Sequence, residues 1–142
     1  MLENIQRKDV KITVVGMGYI GLPTSVTFAK AGFNVCGYDI NQDVINTLKS
    51  GKIHIKEPDL QQAFEEAMSS GKLVPVEKLG HSDVFIICVP TPFKENHEKK
   101  IADLSFVENA SRSVAPFVAP GNLVILESTV PPMTTDEIVG SI

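Results

Sequence analysis

Short apolar runs alternate along this chain with longer stretches of helical period. Val10–Val15 (V-K-I-T-V-V), Phe33–Tyr38, Asp83–Val89 (D-V-F-I-I-C-V) and Asn122–Leu126 read as strands. Leu73–Val76 reads as a weaker strand, because Pro75 cannot donate to a ladder and belongs at a sheet edge. The intervening segments predict helices over Tyr19–Ala31, closed by Gly32, and from an Asn41 cap to about Ser50. Two more are predicted over Pro58–Ser70 and Asp103–Phe117. The first of these puts Leu60, Ala63, Phe64, Ala67 and Met68 on one stripe; the second does the same with Leu104, Val107, Ala110 and Val114. The polar segment Phe93–Ala102 reads as a loop, and Thr134 or Thr135 opens a last helix.

Strands and helices in this alternation predict an α/β fold with a doubly wound parallel sheet. Right-handed crossovers give the strand order 3-2-1-4-5. The run Asp83–Val89 is apolar without alternation, as expected of a parallel strand covered on both faces.

The length of 142 residues suits one domain. Thirteen basic and 17 acidic residues leave a net charge of −4, which argues against a nucleic-acid partner bound through a basic face. The longest apolar run, Val84–Val89, is far short of a membrane span, so no membrane partner is expected. No secretory signal is visible at the N-terminus. Cys36 and Cys88 sit inside apolar runs and read as buried thiols of a reducing, cytoplasmic compartment.

Gly16-Met17-Gly18-Tyr19-Ile20-Gly21 follows the first strand and opens the first helix. Gly16 permits a tight turn, Gly18 lets backbone approach a pyrophosphate, and Gly21 lets the helix pack close to the sheet. The helix start then offers free N–H groups and its positive dipole end to phosphates. Asp39 ends the second strand, where an acid accepts hydrogen bonds from ribose hydroxyls and repels a 2′-phosphate. Ile40, Asn41 and Gln42 supply no cation in its place. Together these predict a Rossmann-type domain binding NAD rather than NADP. Thr91, framed by Pro90 and Pro92, ends the fourth strand; Ser128 and Thr129, followed by Pro131 and Pro132, end the fifth. They are either cofactor contacts or ordinary turn residues.

These segments also carry a likeness. G-M-G-Y-I-G-L-P, Y-D-I-N, E-P-D-L, V-P-T-P-F-K and L-E-S-T-V-P-P, in that order, resemble the nucleotide-sugar 6-dehydrogenases, the UDP-glucose/GDP-mannose dehydrogenase family. The forms V-P-T-P-F-K and I-L-E-S-T look most like its UDP-N-acetylmannosamine branch. The resemblance implies NAD contacts at Tyr19, Ile20, Asp39, Thr91 and Thr129. It implies oxidation of the C6 alcohol of a UDP-sugar to a carboxylate with two NAD, through thiohemiacetal and thioester intermediates on a cysteine.

That cysteine, like the family's catalytic lysine, asparagine and aspartate, belongs to segments beyond those matched here, and Cys36 and Cys88 read as core thiols. Residues 1–142 are therefore expected to be the cofactor domain of a longer enzyme, without its central helical and sugar-nucleotide domains. Such a chain would hold NAD without turnover. A stand-alone NAD module, a hydroxyacid dehydrogenase and a 6-dehydrogenase of UDP-glucose or UDP-N-acetylglucosamine are the alternatives. Stopping before a sixth strand would leave the fifth as an open edge, prone to self-association. Met133 departs from the family, which has a small residue there, often glycine.

The remaining polar residues read more plainly. His54, His81 and His97 lack metal-ligand spacing and read as surface or loop residues. Glu57 suits a helix start. Lys94–Lys100 reads as a solvated loop, and Glu127 as the acid closing a buried strand.

Overall fold

The structure, a computed structural model, describes residues 2–94 and 100–142. Five strands, β1 (Lys11–Val15), β2 (Asn34–Tyr38), β3 (Leu73–Val76), β4 (Val84–Ile87) and β5 (Leu123–Leu126), form one sheet. Its order is β3-β2-β1-β4-β5 and every pairing is parallel. This is the predicted doubly wound Rossmann-type order, with Pro75 on the edge strand β3 opposite Gly37.

Among the described residues five α-helices accompany the sheet: α1 (Leu2–Gln6), α2 (Gly21–Lys30), α3 (Gln42–Lys49), α4 (Leu60–Ser69) and α5 (Ser105–Val114). On one face, Ile12, Val14, Val84 and Ile86 pack against Leu22, Val26 and Ala29 of α2, Leu48 of α3, and Phe64 and Ala67 of α4. On the other, Val15, Phe85 and Ile87 pack against Ala110 and Val114 of α5. Consecutive residues of β1 and β4 thus feed opposite layers, which is why β4 is apolar throughout and buried at all four positions.

The local signals act as expected at two helix ends. Gly32 takes φ +98° after α2; its amide bonds Ala29 O and that of Phe33 bonds Phe28 O, while the Phe28 and Phe33 rings meet edge to face. Asn41 caps α3 through its side chain, which accepts from the Asp43 amide.

Several boundaries differ from expectation. The helix α2 begins at Gly21, two residues late, because residues 18–20 are spent in the glycine turn. The next long helix begins at Leu60, not Pro58, since Asp59 takes a left-handed φ of 60°. The segment Asp103–Phe117 splits: Asp103 accepts from the Ser105 amide ahead of α5, and Pro116 turns the end into a 3₁₀ helix, Ala115–Phe117. Phe93–Ala102 is not wholly loop, for Phe93 and Ala102 form an antiparallel bridge. His97 and most of Lys94–Lys100 lie outside the described residues. The short α1 escaped the periodicity reading; Ile5 anchors it to the core. Cys36 is only half-buried, whereas Cys88 is buried. β5 is not buried: it alternates exposed and half-buried residues, as an edge strand covered on one face does.

Met133 adopts φ +70° and its side chain is exposed. A left-handed backbone costs a non-glycine residue about 1–2 kcal/mol, and glycine avoids that at some expense in unfolded-state entropy. Met133→Gly is therefore expected to stabilise the chain by up to about 1 kcal/mol, read as a higher urea midpoint.

Candidate functional site

The site forms where the first crossover leaves the sheet. Gly16 follows β1 with φ +95°, and its amide donates to Tyr38 O at 2.8 Å. A Cβ at Gly16 would stand 2.6 Å from Cys88 O. At Gly21 a Cβ would stand 1.8 Å from Gly16 O and 3.1 Å from the Cys88 Cβ. Neither position admits a side chain, so the chain can turn this tightly against β4 only with glycine there. Gly18 differs: a Cβ there would meet nothing within 4 Å. Its glycine is not needed for packing, and it borders open space.

That space is a cavity of about 620 Å³, within the usual range for small-molecule sites, roughly 300–1,000 Å³. Gly16, Gly18, Tyr19 and Ile20 form one wall; Tyr38, Asp39, Ile40 and Asn41 form another. Val89, Pro90, and Phe106, Asn109 and Ser113 of α5 close it. Among the described residues, the amides of Gly18, Tyr19, Ile20 and Gly21 carry no hydrogen bond. The first turn of α2 holds no acid and has no side-chain cap. Four free donors at a positive helix end, beside a glycine that leaves room, make an anion site.

Asp39 faces this turn from the end of β2. Its Oδ2 accepts from the Met17 amide at 2.8 Å and its Oδ1 from the Asn41 amide at 2.9 Å. The carboxylate thus fixes the glycine turn as well as lining the cavity, a double role that spacing alone did not reveal. The Met17 side chain points the other way and is fully buried: a Cβ at Gly37 would lie 2.5 Å from its Cε, so Gly37 makes the space it fills.

The other expected residues lie apart. Gly21 sits behind the turn, outside the cavity wall. Thr91, Ser128 and Thr129 stand past the ends of β4 and β5, also outside it. Thr91 Oγ1 donates to Thr129 O at 2.7 Å, and Ser128 Oγ donates to Val89 O at 2.7 Å. These hydroxyl protons stitch the two strand ends together, which leaves the oxygens only as acceptors.

Sequence reasoning missed Tyr38, Val44, His54, Phe106, Asn109 and Ser113 in the wall. They come from separate elements and carry no local motif. His54 is exposed, as expected of a loop residue, yet it borders the cavity. Glu127, expected at the end of a buried strand, is exposed. Among the described residues no three His, Cys, Asp or Glu side chains gather as metal ligands, and no helix is long and apolar enough to cross a membrane.

Cys88 lines the cavity floor, and its thiol donates to Glu127 Oε2 at 3.2 Å. Burial, then that hydrogen bond and the Glu127 charge, push the thiol far above its ordinary value near 9. The folded state therefore holds this proton more tightly than the unfolded chain does. The resulting stability is complete below about pH 9 and is lost as pH rises beyond it. Urea midpoints measured from pH 8 to 10.5 should fall, and fall less steeply in Cys88→Ala.

Residues 10–142 match the model of the UDP-glucose/GDP-mannose dehydrogenase family, NAD binding domain. A UDP-N-acetyl-D-mannosamine dehydrogenase of Pyrococcus horikoshii is 47% identical over 131 residues, which are 90% of this chain and 30% of that protein. The structure of a UDP-N-acetyl-mannosamine dehydrogenase from Staphylococcus aureus superposes with a TM-score of 0.88 at 50% identity, covering 92% of this chain and 32% of that one. A UDP-glucose dehydrogenase from Pyrobaculum islandicum gives 0.86 at 37% identity, covering 93% and 32%. The chain thus spans about 30% of the length of the curated relatives it matches. With that match over nearly all its residues, the chain belongs to the UDP-glucose/GDP-mannose dehydrogenase family, as its NAD-binding domain.

Proposed function

We propose that this chain is the cofactor-holding part of a nucleotide-sugar 6-dehydrogenase that oxidises a UDP-sugar, with UDP-N-acetylmannosamine as the substrate. The observation that carries the reading is the set of free amides at Gly18, Tyr19 and Ile20, in the wall of a cavity that Asp39 also lines. NAD, when bound, supplies the acceptor for the hydride removed from the alcohol carbon.

The residues present fit that group. The free amides and the helix dipole hold the pyrophosphate, and Gly18 lets its oxygens come close to the backbone. Each Asp39 oxygen uses one lone pair on a backbone amide and keeps another for a ribose hydroxyl. Among the described residues the cavity wall holds no Lys or Arg, so a 2′-phosphate beside Asp39 would meet that carboxylate's like charge with no Lys or Arg to offset it. Ile40, Val89, Phe106 and Ala110 give the adenine an apolar slot. At the ends of β4 and β5, Thr91 and Ser128 serve the nicotinamide half as acceptors, and Thr129 serves it through a hydroxyl that can also donate.

The thiol chemistry of the reaction has no support in these residues. Cys88 is buried with its proton held by Glu127, the reverse of an activated nucleophile, and Cys36 lies within β2. The chain is therefore a binding unit: it takes NAD and turns nothing over alone. The substrate reading draws support from the UDP-N-acetyl-D-mannosamine dehydrogenases among its relatives.

Calorimetric titration tests this. Wild-type chain should bind NAD, and NADP more weakly by about tenfold or more, a difference of about 1.4 kcal/mol. Gly18→Ala should weaken NAD by a similar factor while leaving the urea midpoint nearly unchanged, because the added methyl enters open space. Equal affinity for NAD and NADP, or no heat with either, would contradict the proposal.

A further inference from the structure

We infer that Glu127 is a positioning residue for the glycine turn, tying the first turn of α2 to the end of β4. This goes beyond the cofactor reading and rests on it only for the binding readout below. Glu127 follows β5, and its amide donates to Ile87 O at 2.9 Å, which fixes the backbone against β4. Its carboxylate then reaches two elements at once. Oε1 accepts from Thr24 Oγ1 on α2 at 3.0 Å, and Oε2 accepts from Cys88 Sγ at 3.2 Å.

Both partners belong to the machinery of the turn. Thr24 is the fourth residue of α2, and its amide closes the turn onto Ile20 O. Cys88 is the residue against which Gly16 and Gly21 are packed. The bridge therefore spans the wedge whose tip presents the free amides. A carboxylate, with two acceptor oxygens and no donor, satisfies a hydroxyl and a thiol at once. Its negative charge is also favourable near the start of a helix that carries no acid of its own.

The glycine turn needs such a tie because α2 starts without a side-chain cap. Its amides must stay free for the ligand, so the restraint has to come from beyond the first three residues. Thr24 is the first position of α2 where a side chain bonds another element.

The test compares Glu127→Ala, Glu127→Gln and Thr24→Val in the 142-residue chain. Without ligand, amide hydrogen exchange at Leu22, Thr24 and Ser25 should speed up severalfold in Glu127→Ala and in Thr24→Val, with β1 and β4 amides unchanged. Glu127→Gln should recover most of the protection, because its carboxamide oxygen still accepts from Thr24. NAD affinity should fall severalfold in Glu127→Ala and Thr24→Val, and no further when both are combined.

Exchange rates and affinity equal to wild type in Glu127→Ala and in Thr24→Val would overturn the inference. So would a Glu127→Gln variant as impaired as the alanine one, or one binding NAD more tightly than wild type, which would make Glu127 a repulsive charge. If the wild type itself fails to bind NAD, the cofactor reading falls, and the exchange data still decide this one. If Glu127→Ala fails to fold, Thr24→Val carries the test.

Discussion

The first residue of α2 lies so close to the carbonyl of Gly16 that no side chain fits there. Everything at the candidate site follows from it. The helix can start so near the sheet only because Gly21 lacks a Cβ, and the chain can turn so sharply only because Gly16 takes a left-handed φ. The turn between them exposes its amides to the cavity instead of closing them into the helix. A close contact between two backbones thus makes the anion site, and the cavity side chains play the lesser part.

That contact is held from both flanks. Asp39 grips the Met17 amide from the end of β2, and Gly37 leaves the Met17 side chain a buried seat. Glu127 links α2 with Cys88 from the β5 side. Gly37 therefore matters to the site although it lies outside the cavity wall. Asp39 both fixes the turn and lines the cavity, so replacing it with alanine would disturb the turn together with the proposed ribose contact. Discrimination between NAD and NADP on the wild-type chain is the cleaner probe of its charge.

The parts of this arrangement that were legible in the sequence are those with local physical causes. Strand order followed from alternation and right-handed crossovers, and the edge position of β3 from Pro75. The glycine spacing was readable because each glycine answers one steric demand, and the acid at Asp39 because it follows the second strand; its grip on the Met17 amide was not. The remainder depends on contacts distant in sequence. Thr24 and Glu127 are 103 positions apart, and neither carries a pattern that announces the other. His54, Phe106 and Asn109 enter the cavity through the packing of a loop and of α5, which periodicity does not place. Glu127 is exposed although its apolar strand reads as buried, because β5, at the sheet edge, is covered on one face only.

The central claim is that the amides of Gly18, Tyr19 and Ile20 hold the cofactor's pyrophosphate. It is tested most directly by following backbone amide resonances of the ¹⁵N-labelled chain during titration with NAD. The account predicts the largest shifts at Gly18, Tyr19, Ile20 and Gly21, with smaller ones at Asp39 and Asn41. Shifts confined to other surfaces, or an unperturbed glycine turn at saturating NAD, would contradict it.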